Sequence, residues 1–254
     1  MPTPPPAGYV RVTAGRCTAI ARAELEDDAR ALLAEGTIYE AAARNLGARA
    51  LAGRGVAYSI ALPVTGARVV VRHNRHGGLF APITKDYFLP PTRAPYELAV
   101  ALRLAALGVR TPQVLMYGIE NVHLLLRRAD VVTLEVIGGR DLASYLMPGE
   151  LPALRAEAWR ATRDLVRSLN AAGARHHDLN VKNVLLTDGE GGLVAWVLDV
   201  DRVRFGQASA ASVRVGNATR LLRSARKWRD ERGAVVDEGE LAELGAQRDE
   251  IREL

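Results

Sequence analysis

The sequence predicts an α+β fold in two lobes, a small β-rich N-terminal lobe followed by a mainly helical C-terminal lobe. Apolar, partly β-branched runs concentrate in the first half, at 58–62, 67–71, 113–117, 122–126 and 131–137. From Leu142 onward long Ala-, Leu- and Arg-rich segments at helical spacing dominate. Between the two textures lies the glycine pair Gly138–Gly139, a natural linker. The expected division is an N-terminal extension over 1–47, an N-lobe over 48–138 and a C-lobe over 139–254.

Taken in order, "MPTPPPAGYV" reads as a short disordered or polyproline lead-in. Residues 24–46 are rich in Ala, Leu and Glu, and Thr37 with Glu40 has capping-box spacing, so helices complete the extension. The runs 58–62 and 67–71, joined by "PVTG", predict a hairpin. Residues 73–93, with paired glycines and prolines, predict a loop. "APYELAVALRLAALG" predicts a helix stopped at Gly108. Strands are expected near 113–117, 122–126 and 131–137. Helices follow at 141–147 and 152–172, then a strand pair around "TDGEGG", then a helical, basic tail over 208–254.

Composition narrows the functions. The 254 residues are 48% hydrophobic and 25% charged, and no run approaches a membrane span. The N-terminus lacks the basic start and apolar core of a secretory signal. A single cysteine, Cys17, excludes a disulfide framework and fits the reducing cytoplasm. A net charge of +5 suits an anionic partner of some kind. With 5% aromatics there is no stacking platform for single-stranded nucleic acid, so no nucleic-acid partner is expected.

The chemistry concentrates in "ARHHDLNVKNVLLTDGEGGLVAWVLDVD", residues 174–201. If 184–187 pairs with 193–198 across the glycine-rich turn, Asn183 and Asp199 come to one end of the hairpin, and Asp178 lies in the loop just before it. Phosphoryl transfer needs this set: a carboxylate for the attacking hydroxyl, and an amide oxygen with a second carboxylate for the metal that bridges nucleotide phosphates.

"HHDLNVKNVLL" followed by "LDVD" resembles the catalytic and metal loops of the protein-kinase-like superfamily. The resemblance implies a protein-kinase-like fold with ATP and Mg2+ as cofactors, Asp178 as catalytic base, Asn183 and Asp199 as metal ligands, and His176 as a brace. Asp201 is expected to orient the following turn rather than to hold metal. "GRGVAY" resembles a shortened phosphate loop, which implicates Gly53 and Gly55. "VVVR" places Arg72 where that superfamily has its phosphate-pairing lysine, with Glu97 as its partner, and Glu135 stands where the inter-lobe strand contacts adenine.

His177 replaces the arginine that usually precedes the catalytic Asp, and no Ala-Pro-Glu segment follows "DVD". Both departures argue for a small-molecule or lipid acceptor rather than a protein. "VRHNRHGGL", "DLNVKN", "LDVDR" and "RLLRSARK" resemble the lipopolysaccharide-core kinases over roughly 48–232, and among them the type acting on 3-deoxy-D-manno-octulosonic acid (Kdo). This implies a lipid-linked sugar acceptor, Kdo-lipid A or similar, and an enzyme peripheral on the inner face of the cytoplasmic membrane. Arg75, Arg220 and Arg223 are candidates for contact with the lipid substrate or with the anionic membrane. Left open are a core heptose or another small hydroxyl compound as acceptor, and a non-catalytic pseudokinase binding module.

Overall fold

In the computed structural model, residues 4–51, 55–74, 88–123 and 126–246 are described. They form two units: residues 1–99 with 113–135, and residues 100–112 with 136–254. Among the described residues no helix is long and apolar enough to cross a membrane.

The first unit is built on a seven-stranded antiparallel sheet. Its strands are β1 (Tyr9–Ala14), β2 (Cys17–Arg22), β3 (Arg49–Leu51), β4 (Ala57–Ala61), β5 (Arg68–His73), β6 (Val114–His123) and β7 (Leu126–Leu134), in the spatial order β1-β2-β6-β7-β5-β4-β3. The first two strands correct the expected extension over 1–47. Residues 9–22 form a hairpin turning at Gly15 (φ 54°), and β2 pairs with β6 inside the sheet. The lead-in therefore stops before Tyr9, whose hydroxyl donates to the Val114 carbonyl at 2.6 Å. Two helices then cover the sheet, α1 (Glu26–Ala34) and α2 (Ile38–Arg44). The Thr37–Glu40 capping box at the start of α2 is present in both directions, which satisfies two otherwise orphaned amides.

Ala19, Ala21, Leu32, Leu33, Ile38, Val69, Val71 and Met116 belong to the resulting core. Ile38 fits only because β6 has a glycine opposite it: a Cβ on Gly118 would lie 2.9 Å from Ile38 Cδ1. The strands expected at 113–117, 122–126 and 131–137 are in fact two long strands, β6 and β7. Irregularities of register between Val114 and Met116 and between Asn121 and His123 break the apolar alternation that would have shown them whole.

The second unit is mainly helical. Helix α3 (Ala94–Ala106) begins in the first unit and ends in the second, and Gly108 (φ 73°) closes it while the Val109 amide reaches back to the Leu104 carbonyl. After the two-residue strand β8 (Arg140–Asp141) come α4 (Leu142–Tyr145) and α5 (Pro152–Ala171), the latter opening on proline. Four short strands follow: β9 (Ala174–His176), β10 (Val184–Gly189), β11 (Gly192–Val197) and β12 (Val203–Phe205). Helices α6 (Ala211–Arg232) and α7 (Glu238–Ala246) end the described chain. Trp159, Leu169, Leu142, Leu146 and Leu221 are fully buried and make the centre of this unit. The α+β fold is thus as expected, with the β-rich unit first and the helical unit second.

Candidate active site

Within the first unit, β5 places Arg72 between Ala57 of β4 and Val131 of β7. Its guanidinium donates to Glu97 in the first turn of α3. The Glu97 side chain is 1% exposed and that of Arg72 is 26% exposed, so a buried carboxylate anchors a cation that still reaches the surface. Glu97 Oε2 is buried and has no hydrogen-bond partner among the described residues. Next along β5, His73 bonds through Nδ1 to Asp130 of β7, and the other Asp130 oxygen accepts from the Tyr39 amide at 2.9 Å, which ties α2 to the same region of the sheet.

Glu135 follows β7. Its carboxylate accepts from Ser59 (2.8 Å), Arg49 (2.7 Å) and Arg68 (3.2 Å). Burial raises its pKa, but these three hydrogen bonds outweigh burial and hold it below the usual carboxylate value. The side chain is therefore a brace across β4 and β5, a use that its expected place beside adenine does not suggest. Gly55 is described in the segment between β3 and β4, whereas Gly53 and Arg75 lie outside the described residues.

Within the second unit the local pairing is what the spacing called for. Strands β10 and β11 are antiparallel with Val184 opposite Val197, and the Leu198 amide donates to the Asn183 carbonyl at 2.9 Å. Asn183 and Asp199 accordingly occupy the same end of the hairpin. A second ladder closes the loop from the other side: β12 pairs with β9, Val203 opposite His176, and the His177 amide donates to the Arg202 carbonyl at 3.0 Å. Asp178 hangs between these clamps. Its amide donates to His176 Nδ1 at 3.1 Å, and its carbonyl accepts from Asn180 Nδ2 (2.9 Å) and Asn183 Nδ2 (2.8 Å). Both backbone groups of Asp178 are held, so the loop fixes the point from which its partly exposed side chain projects.

His176 is fully buried. Because Nδ1 accepts from an amide, the ring proton resides on Nε2, which donates to the Leu198 carbonyl at 2.9 Å. Burial lowers its pKa, against the opposing effects of the Leu198 hydrogen bond and of Asp199, Asp178 and Asp201. The imidazole is a neutral strut spanning the loop from Asp178 to the residue before Asp199. Burial also lowers the His177 pKa, followed by the positive charges of Arg175, Arg220 and Arg204.

Asp199 adopts a left-handed conformation (φ 54°, ψ 48°) just before the 3-10 turn 200–202, a geometry that Asp and Asn tolerate better than most side chains. Asp201 lies in that turn, 3.8 Å from Arg202. The metal expected here is testable against the donor set. With Nδ2 of Asn183 turned to the Asp178 carbonyl, Oδ1 is the acceptor end of the amide, and with the Asp199 carboxylate it makes two hard oxygen donors. That is the number Mg2+ ordinarily takes from protein. The residues present fit Mg2+.

The loop rests on α6 through groups that the sequence reading passed over. Buried Asn217 accepts from the His176 amide at 2.9 Å and donates to Asn170 Oδ1 and the Ala174 carbonyl, each at 2.9 Å. Ser224 Oγ accepts from the Val181 amide at 3.2 Å. The available signal was a lone amide at i+4 from Val213 and i−4 from Leu221, on the apolar side of the helix. Lys182, also in the loop, pairs with Asp141, the N-cap of α4. Arg220 and Arg223 lie on α6 and are exposed.

The model of the "Lipopolysaccharide kinase (Kdo/WaaP) family" matches residues 44–239. A protein of Haemophilus influenzae (strain PittEE) named 3-deoxy-D-manno-octulosonic acid kinase is 33% identical over 162 residues, 62% of this chain and 65% of that protein. The match thus spans a little under two thirds of that relative's length. A protein of the same name from Actinobacillus succinogenes is 32% identical over 178 residues, 68% of this chain and 72% of its own. Among solved structures, "WaaP in complex with acyl carrier protein" superposes with a TM-score of 0.51 at 18% identity, covering 89% of this chain and 96% of that one. The Rio2 kinase of Chaetomium thermophilum, in its ADP/Mg2+-phosphoaspartate complex, gives 0.52 at 14% identity, covering 96% and 76%. The fold is protein-kinase-like, as in these two structures.

Proposed function

Because the chain belongs to the lipopolysaccharide kinase (Kdo/WaaP) family, we propose that it transfers a phosphoryl group from ATP to a sugar hydroxyl of the lipopolysaccharide inner core, with Kdo of Kdo-lipid A as the acceptor. The observation that carries this reading is the double anchoring of Asp178, by His176 at its amide and by Asn183 at its carbonyl. A carboxylate held this way is suited to receive the hydroxyl proton as the sugar oxygen attacks. Asn183 Oδ1 and Asp199 are the metal ligands, and Mg2+ there would neutralise charge on the nucleotide's phosphates. Arg72, ordered by Glu97, supplies the cation that phosphate binding requires, and its planar guanidinium offers two parallel donors where a lysine would offer a point charge. Gly55, and with it Gly53, belongs to the phosphate loop, and the chain at Glu135 borders the adenine while its carboxylate braces the sheet.

The names of the Haemophilus and Actinobacillus relatives support Kdo as the acceptor, and the shared fold supports phosphoryl transfer. Asp178, Asn183 and Asp199 together speak against a binding module without catalysis, which has no need of the set. We place the protein at the inner face of the cytoplasmic membrane, where a lipid-linked sugar would be met. The test is to offer purified protein, ATP and Mg2+ either Kdo-lipid A or a heptosylated core and to weigh the products. One added phosphate on Kdo-lipid A supports the reading, and phosphate on heptose alone moves the acceptor.

A further inference from the structure

Helix α6 holds seven basic and two acidic residues in its 22, a net charge of +5. The whole chain, with 34 basic and 29 acidic residues, also nets +5, so the other 232 residues carry 27 of each sign. All the positive excess of the protein is on one helix. Four of the seven basic residues share one side of that helix, together with its two acidic residues, Asp230 and Glu231. Arg220, Arg223 and Lys227 follow one another at spacings of three and four, with Arg226 beside them, and all four are exposed while Asn217, Ala218, Leu221, Leu222 and Ala225 face inward. Lys227 shares its charge with Glu231 at 3.8 Å, and Arg229 with Asp230 and Glu238, but among the described residues Arg220, Arg223 and Arg226 enter no ion pair. Three arginines outside any ion pair on less than two turns of helix repel one another, and a bound anion relieves that repulsion.

The position of this stripe matters as much as its sign. Helix α6 is the element on which the Asp178 loop rests: Asn217 receives the His176 amide, Ser224 receives the Val181 amide, and Lys182 stands 6.0 Å from the centre of the Trp228 ring. Arg220 is near enough to help lower the His177 pKa. The basic side therefore adjoins the loop-bearing side of the same helix.

We propose that the exposed Arg220–Arg223–Arg226 face of α6 is a membrane-docking surface that lies flat on anionic lipid headgroups and so holds the Asp178 loop at the level of the phosphate plane. This deepens, and rests on, the reading of the acceptor as a glycolipid. The face carries basic side chains from Arg220 to Lys227 and has no row of large apolar side chains, so its chemistry is adsorption to headgroup phosphates rather than insertion among acyl chains. From Arg220 to Lys227 the helix rises about 10 Å, enough to bring these charges onto neighbouring headgroups.

The experiment measures binding of the full chain, without nucleotide or acceptor, to vesicles of phosphatidylcholine with and without phosphatidylglycerol. Wild type should bind only the anionic vesicles, with affinity falling as salt rises. Arg220→Gln/Arg223→Gln/Arg226→Gln should bind roughly a hundredfold more weakly. A charge-matched control, Arg16→Gln/Arg30→Gln/Arg167→Gln, should bind like wild type, and thermal melting of both variants reports that they fold. Equal loss in the two variants would mean that net charge rather than this face is responsible, and would overturn the proposal. So would indifference of wild type to phosphatidylglycerol, or binding to a soluble acidic protein in preference to vesicles. Because no turnover is read, these outcomes are independent of whether Asp178 is the catalytic base.

Discussion

The amide of Asp178 donates to Nδ1 of His176, which is two residues earlier and fully buried. That bond fixes the imidazole proton on Nε2, directs it to the Leu198 carbonyl, and links the loop that carries Asp178 to the chain that delivers Asp199. Replacing His176 with Ala strands the Asp178 amide and the Leu198 carbonyl and opens a cavity. A loss of about 3–5 kcal/mol in unfolding free energy is expected from urea melts.

The same residue makes stability depend on pH. Its folded pKa lies below the ordinary 6.5, so below that value the unfolded chain binds a proton that the folded chain resists. Stability is highest above about pH 6.5 and declines as pH falls towards the folded value. His176→Asn keeps an acceptor for the Asp178 amide but has no titrating ring. Its loss of stability between pH 7.5 and 5.5 should be smaller than that of wild type, as read by denaturant melts at each pH.

Asn217 serves three buried partners at once, the His176 amide, Asn170 and the Ala174 carbonyl. Asn217→Leu leaves all three without it and is expected to cost about 2–4 kcal/mol, despite replacing a polar core residue with an apolar one. Chemical denaturation of the purified variant measures this directly.

Asp199 separates geometry from charge. Asp199→Asn retains a side chain that tolerates the left-handed backbone and removes the negative charge. Melting should be nearly unchanged, while the Mg2+ concentration needed for half-maximal phosphorylation rises at least tenfold. Asp199→Ala adds backbone strain of about 1 kcal/mol, visible as an additional drop in melting temperature.

Arg72 and Glu97 are an unequal pair because Glu97 is the buried member. Arg72→Met leaves that carboxylate without its cation and should destabilise the protein by about 3 kcal/mol or more. Glu97→Gln leaves an exposed-reaching arginine and should cost less stability, but it should raise the KM for ATP. Melting curves and initial rates over a range of ATP concentrations distinguish the two.

Much of this site was legible because its parts are close in sequence. Asp178, Asn183 and the hairpin that returns Asp199 need only a tight turn and two short apolar runs, and the structure pairs them accordingly. What α6 contributes was not legible: Asn217 meets His176 across 41 residues, and nothing local distinguishes its amide from an accidental polar residue in an apolar row. The hairpin at 9–22 was missed for another reason. Its core-facing positions include Ala19 and Ala21, whose small side chains give little strand propensity, and the polyproline stretch before it suggests disorder. Glu135 marks a third limit, since only the folded sheet brings Arg49, Ser59 and Arg68 to one carboxylate.

The most direct test is turnover of Asp178→Asn with Kdo-lipid A, ATP and Mg2+. The substitution keeps the backbone bonds to His176 and Asn183 and removes only the group that would accept the hydroxyl proton. Phosphorylation should fall by roughly 10²–10⁴-fold, with melting temperature and nucleotide affinity close to wild type. Phosphorylation of Kdo-lipid A by the folded variant at near wild-type rate would contradict the account.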